Sequence, residues 1–222
     1  MRFLPAIVVI LSGLLLAACS TFGIRSGTEQ PAYAVVESLP ARDGETVEVR
    51  RYGPRLAAEV TVRGDEEKAR SAGFRTLAAY ISGENEAGAD IAMTAPVAQA
   101  PARTGKAEAI TMTAPVAQAP AGDGGWIIRF FMPAKYSRET LPRPVDPKIA
   151  LAELPEESMA VVRFSGARDP AAVDAATRAL QRGLDGSAWT PSGPPSAYFY
   201  DPPWTLPFLR RNEVAVPVEP AR

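Results

Sequence analysis

Twenty-two prolines are scattered through the 222 residues, and they set the first limit on the fold. Proline removes a backbone donor and fixes φ, so it breaks helices and central strands and collects at turns. The prolines are interspersed with short β-branched runs, which suit a pleated, half-buried surface. Together these features argue against a helical bundle and favour short strands joined by turns.

The hydrophobic period orders those strands. Tyr33 to Leu39 and Thr46 to Tyr52 flank the turn residues Asp43-Gly44 and read as a hairpin. In the second strand Val47 and Val49 alternate with Glu48 and Arg50, which predicts a sheet with one wet face. Leu56 to Val62 continues the meander. From Asp65 to Ile81 the apolar set Ala69, Gly73, Phe74, Leu77, Tyr80, Ile81 changes to spacings of three and four, predicting a helix capped by Asp65 and ended by Gly83. Trp126 to Met132 is nearly all apolar and reads as a central strand ended by Pro133. Lys148 to Leu154 and Met159 to Phe164 are further strands. Asp169-Pro170 opens a helix over Ala171 to Leu184, and Ser196 to Tyr200 and Glu213 to Val218 are late strands. A strand hairpin, a helix and a strand pair thus occur twice, predicting an α+β domain with a pseudo-two-fold.

One segment is nearly duplicated. Ile91-Ala-Met-Thr-Ala-Pro-Val-Ala-Gln-Ala-Pro101 returns as Ile110-Thr-Met-Thr-Ala-Pro-Val-Ala-Gln-Ala-Pro120. Alternation would place Ile91, Met93, Ala95 and Val97 on one face and Ile110, Met112, Ala114 and Val116 on its counterpart, with Arg103 to Lys106 as the hairpin tip. The chain has no histidine, so the commonest general base, metal ligand and haem ligand is missing. Cys/His clusters, Gly-x-Ser-x-Gly elbows and phosphate loops are also absent as sequence signals.

The amino terminus reads as an export signal. Arg2 supplies the positive charge, Phe3 to Leu16 the apolar stretch, and Leu16-Ala-Ala-Cys19 the small residues before a cut. The stretch resembles a bacterial lipoprotein signal. That resemblance implies cleavage before Cys19, diacylglycerol on its sulfur and an acylated amino terminus. Cys19 is the one cysteine of the chain, so no internal disulfide can form, and lipidation accounts for a thiol exported to an oxidising compartment. Ser20 follows it, which by analogy favours the outer membrane facing the periplasm. Residues 1–18 are thus read as signal peptide, 19–31 as lipidated cysteine and flexible tether, and 32–219 as one folded domain. Cleavage removes Arg2 and leaves 23 of the 24 basic residues against 25 acidic ones. Nothing here attracts nucleic acid, and there is no basic stripe.

Several blocks converge on one family: Gly73-Phe-Arg-Thr-Leu77-Ala-Ala-Tyr80-Ile-Ser-Gly83-Glu-Asn85, Ile91-Ala-Met-Thr-Ala-Pro-Val97, Phe130-Phe-Met-Pro133, Pro142-Arg-Pro144, Phe164-Ser-Gly166, Tyr200-Asp-Pro-Pro203 and Arg210-Arg-Asn-Glu-Val214. In that order the chain resembles the SOUL haem-binding protein family from about Tyr33 to Val218. The resemblance implies a distorted eight-stranded antiparallel barrel with two helices, built from two similar halves. It also implies a tetrapyrrole such as haem held without covalent attachment in a hydrophobic cleft, without a catalytic reaction.

Matching motif to motif places that cleft along the first helix, at Phe74, Arg75, Leu77 and Ala78, and on the loop carrying Trp204, Phe208 and Arg210. Some family members have lysine where this chain has Ala79 and Thr205, so propionate pairing would pass to Arg75 or Arg210. Met93 and Met112 are either a soft wall for the ring or core filling. Tyr136, Tyr198 and Tyr200 can be read as stacking or phenolate ligands, or as packed, hydrogen-bonded tyrosines. Arg210, Arg211 and Glu213 read first as an internal salt bridge pinning the last strand, and Glu84 and Glu86 around Asn85 as a solvated turn. The expectation is a monomeric, lipid-anchored tetrapyrrole-binding protein. The alternatives are an envelope structural or stress lipoprotein without haem affinity, or an enzyme acting on an amphipathic small molecule.

Overall fold

A computed structural model describes residues 21–23, 25, 27–41, 45–102 and 125–221. The predicted hairpin turn at Asp43-Gly44, the hairpin tip, the second copy of the repeat with Met112, and Cys19 lie outside the described residues. The strands are β1 (Tyr33–Pro40), β2 (Thr46–Tyr52), β3 (Arg55–Arg63), β4 (Val97–Pro101), β5 (Gly125–Phe131), β6 (Ile149–Leu154), β7 (Glu157–Phe164), β8 (Trp189–Pro191), β9 (Ser196–Phe199) and β10 (Asn212–Pro220). The helices are α1 (Glu66–Ile81) and α2 (Pro170–Leu184). Among the described residues ten strands join one sheet, against the eight expected, in the order β1-β2-β7-β10-β9-β4-β5-β3-β6, with β8 pairing the far end of β10. Every pairing is antiparallel, and the α+β architecture is the expected one.

Both helices begin as the sequence indicates. The Asp65 carboxylate accepts from the Lys68 N–H and that of Asp169 from the Ala172 N–H, each at 2.9 Å, satisfying amide groups that have no intrahelical partner. Ser82 ends α1, and Gly83 takes the left-handed turn at φ 101°. α1 packs on β3 and β5 through Leu77, Tyr80, Ile81, Ala58, Val60, Ile128 and Phe130. α2 packs on β2, β7 and β10 through Ala176, Leu180, Leu184, Val47, Val49, Val162, Val214 and Val216. Each fully buried large side chain of this kind contributes roughly 1.5–3 kcal/mol. Two glycines permit the close approach. A Cβ on Gly73 would lie 2.4 Å from Ile128 Cγ1, and one on Gly183 2.6 Å from Val47 Cγ2.

The register puts both helices on the same face. Phe164, Asn212, Phe199, Val97, Phe130 and Ala58 form one row across β7, β10, β9, β4, β5 and β3. The opposite face carries Tyr52, Ala57, Ala98, Phe131, Met159, Val161, Tyr198 and Ala215 as a third core. This face was expected to be wet. It is not: Arg50 and Tyr52 are buried on it. The reason is curvature. β3 and β7 are five steps apart in the sheet, about 24 Å if it were flat, yet Arg55 on β3 forms an ion pair with Glu157 on β7. The sheet therefore curls into a half-barrel with the helices outside.

The segment Ile91 to Pro96 departs from the alternating strand predicted for it. β4 starts only at Val97. Before it the Ile91 N–H donates to Ile81 O at 2.7 Å, the Thr94 hydroxyl donates to Phe131 O, and the Ala95 N–H donates to Glu29 O at 2.9 Å. These bonds draw Ile91, Thr94 and Ala95 inward and leave Met93 outside.

Candidate functional site

The inner face of the half-barrel is built around a buried charge cluster. The Arg50 guanidinium donates to both oxygens of Glu213, at 2.9 and 3.2 Å, and to Glu48 at 2.7 Å. Arg211 donates to the same Glu213 at 2.8 and 2.9 Å, and the Tyr200 hydroxyl at 2.7 Å. Burial pushes the Glu213 carboxyl up, but the Arg50 hydrogen bond and the Arg50 and Arg211 charges outweigh it and hold it below the ordinary glutamate range. Burial and the neighbouring carboxylate push the Tyr200 phenol well above the usual tyrosine range, and burial, outweighing the Arg55 and Arg129 charges, does the same for Tyr198. Neither is a source of phenolate. They are packed, hydrogen-bonded tyrosines, Tyr198 donating to the Met159 sulfur at 3.4 Å. The predicted salt bridge at the last strand is present at Arg211 and Glu213. Arg210 stands apart from it.

A cavity of about 610 Å³ opens beside this face, within the roughly 300–1,000 Å³ that small-molecule and cofactor sites occupy. Its apolar lining includes Leu56, Phe131, Met132, Tyr136 and Leu154, with Glu29, Arg138, Glu139 and Glu153 among its polar members. Arg55 lines it too. Its guanidinium stacks over Tyr52 at 4.5 Å and Phe131 at 5.3 Å, and its side chain is 9% exposed. One nitrogen, Nη2, serves Glu157. Nε and Nη1 are buried without an acceptor. A buried donor left unpaired costs about 1–3 kcal/mol, so an acidic group placed here would find donors already stripped of water.

The predicted site residues that the structure describes fall in three places: α1, the segment before β4, and the loop before β10. On α1, Phe74 is half-exposed and meets Phe130 edge-on at 5.3 Å. Arg75 is exposed and borders a smaller hollow of about 280 Å³ with Thr76, Ala79 and Tyr80. Ala78 is partly buried. Leu77 is fully buried in the core and presents no surface to a ligand. Met93 is 45% exposed because its segment is not a strand. The remaining residues lie on the loop before β10, where Trp204 and Phe208 are exposed. Arg210 holds that loop together, donating to Thr205 O and Pro203 O at 2.8 Å and to Gly166 O at 3.4 Å. These bonds engage three of the five guanidinium N–H groups, one on each nitrogen.

Sequence reasoning missed Arg55 and the cavity around it. The partners of Arg55 come from β2, β5 and β7, and no local spacing marks them. The expected turn around Asn85 has Glu84 and Glu86 exposed, but the role of Asn85 in it was missed: its amide donates to Tyr80 O and Ala89 O at 3.0 and 2.7 Å and accepts from the Ala87 and Ala89 N–H groups, so its buried side chain organises the turn. The sequence reads 19–31 as a lipidated cysteine and flexible tether, but the described part of 21–30 is docked: Arg25 pairs with Asp201 at 2.8 Å and donates to Leu209 O at 2.9 Å, and Gln30 accepts from Arg211 at 3.2 Å. Among the described residues no group of three or more Cys, Asp or Glu side chains is placed to hold a metal ion, and no helix is long and apolar enough to cross a membrane.

The structure is thus an α+β fold: a curled antiparallel sheet backed on one face by two helices, with a cavity of about 610 Å³ at its inner edge. Residues 28–217 match the family described as SOUL heme-binding protein, and the chain belongs to that family. Among solved structures it is similar to EcmrR in a DNA complex (10% identity, 80% of this chain and 58% of that one, TM-score 0.55) and to the EcmrR C-terminal domain (11%, 80% and 99%, 0.53). It is also similar to an uncharacterized conserved protein from Listeria innocua (13%, 87% and 94%, 0.51). At these identities the likeness is one of fold alone. No curated protein matches the chain.

Proposed function

We propose that this protein binds haem or a related tetrapyrrole non-covalently and without a histidine ligand, and that it does so as a lipid-anchored binding protein of the bacterial envelope, not as an enzyme. The observation that carries the reading is Arg55. Its buried, unpaired Nε and Nη1 donors stand in an aromatic-walled cavity of about 610 Å³. The residues present fit the group: Leu56, Phe131, Met132, Tyr136 and Leu154 offer apolar contact to a flat ring, and Arg55 offers charge-assisted hydrogen bonds to a propionate. The ring brings its own iron chemistry when iron is present. The protein's part is to exclude water, orient the ring and satisfy its acid groups. Family membership supports tetrapyrrole as the ligand class, and the signal-like stretch ending at Cys19 supports export and lipidation.

A second location has support of its own, since Phe74 and Met93 are exposed large apolar side chains. Haemin titration followed at the Soret band separates the two. A saturable shift near one equivalent is expected for the native chain, weakened in Arg55→Leu and unchanged in Phe74→Ala. The opposite pattern would move the ring to α1, and no saturable shift in the native chain would leave an envelope protein without haem affinity.

A further inference from the structure

We propose that Phe22, Trp204 and Phe208 form a membrane-docking patch that seats the domain directly on the lipid bilayer. The three side chains are 61%, 63% and 71% exposed, an unusual concentration of large apolar surface for a domain with three well-filled cores. They belong to one platform. The Leu206 N–H donates to Thr21 O at 3.1 Å. Gly23 lies so close to the loop that a Cβ on it would stand 2.9 Å from Leu209 O. Phe22 is therefore carried between two residues that touch the Leu206–Leu209 stretch. The platform is braced from behind by Arg210 on the carbonyls of Pro203 and Thr205, by the Gly166 N–H donating to Pro207 O at 2.8 Å, and by Arg25 on Leu209 O and Asp201. Aromatic side chains on a rigid support favour the bilayer interface, where rings enter the headgroup region while polar edges stay wet.

The position of Cys19 selects lipid as the occupant. It precedes Thr21 by two residues, at most about 7 Å of chain. Acyl chains on Cys19 would enter the bilayer beside this patch, with no length of free chain between. The inference rests on the lipid-anchor reading and deepens it, because the anchor and the aromatic loop become one surface and fix which side of the half-barrel faces the membrane.

The test uses the full lipidated chain in phosphatidylethanolamine–phosphatidylglycerol vesicles, with Trp126→Phe and Trp189→Phe leaving Trp204 as the reporter. Expected are a blue-shifted Trp204 emission, quenching by lipids brominated near the headgroup, and protection from iodide. If Cys19→Ser releases the protein from cell membranes while Trp204 of the lipidated chain stays open to iodide and unquenched by lipid, the anchor stands and the patch is overturned. If the Cys19→Ser chain still partitions onto vesicles, and adding Trp204→Ser and Phe208→Ser lowers that partitioning about tenfold or more, the patch holds even where the anchor reading fails. If those two serines abolish a dimer in solution and leave vesicle binding unchanged, the surface belongs to a second copy of the chain and the proposal is overturned.

Discussion

Replacing Glu213 by Gln removes the negative centre of the inner-face cluster while keeping its shape. Glu213 is fully buried and accepts from Arg50, Arg211 and Tyr200. The substitution leaves two guanidinium groups facing a neutral amide, with Glu48 the remaining carboxylate on Arg50. Removing one partner of a buried ion pair costs about 3–5 kcal/mol. Arg211 is partly solvated and Arg50 retains Glu48, so the lower end, about 3 kcal/mol, is expected. For a domain of this size each kcal/mol moves Tm by about 2–4 °C, giving a fall of about 6–12 °C by calorimetry. Adding Arg50→Met should recover part of the loss by removing one of the two confined cations, so the double variant should be at least about 1 kcal/mol more stable than the sum of the single effects predicts. The pH dependence follows from the sign of the shift. The folded-state pKa of Glu213 is depressed, so its contribution is present above the unfolded value near pH 4.3 and disappears as pH falls through the folded one. The native protein should therefore lose stability in that acid range more steeply than Glu213→Gln. A variant within about 1 kcal/mol of native, or with the same acid slope, would refute this account of the inner face.

Two further predictions concern the elements that position the cavity and α1. Gly73→Ala should push α1 off β5, because the new Cβ meets the stiff, β-branched Ile128 at 2.4 Å; a loss of about 1–3 kcal/mol in chemical denaturation is expected, and a neutral result would show that the helix can shift without cost. Asn85→Ala should cost about 1–3 kcal/mol, since it strips the carbonyls of Tyr80 and Ala89 and the N–H groups of Ala87 and Ala89 of the buried side chain that organises their turn. Hydrogen exchange at the Ala87 and Ala89 amides should rise in step, and unchanged exchange there would contradict the assigned role.

The regular elements were legible because their signals are local. Asp65 and Asp169 cap helices whose apolar spacing is visible in the chain, and the valines of β2 and β10 declare the face that receives α2. The segment before β4 was misread for an equally local reason. Ile91, Met93, Ala95 and Val97 alternate as a strand would, but the bonds that override the pattern reach to Ile81, Phe131 and Glu29. Leu77 and Phe74 show the same limit within the candidate site: both sit on the apolar side of one helix, yet one is sealed in the core and the other reaches the surface. The tether was misjudged because small, polar residues look unstructured until Asp201 and Leu209 provide partners from the other end of the chain.

The sequence by itself determined the α+β class, the two helices and the family, because periodicity, caps and motif order are written in neighbouring residues. Only the tertiary structure decided that the second face of the sheet is dry, that Arg55 stands in a cavity with unpaired donors, and that the segment around Phe22 packs against the loop carrying Trp204 and Phe208. Each of these depends on the curl of a ten-stranded sheet and on contacts between residues far apart in the chain, where burial and electrostatics are properties of the assembled shape and not of any local run of side chains.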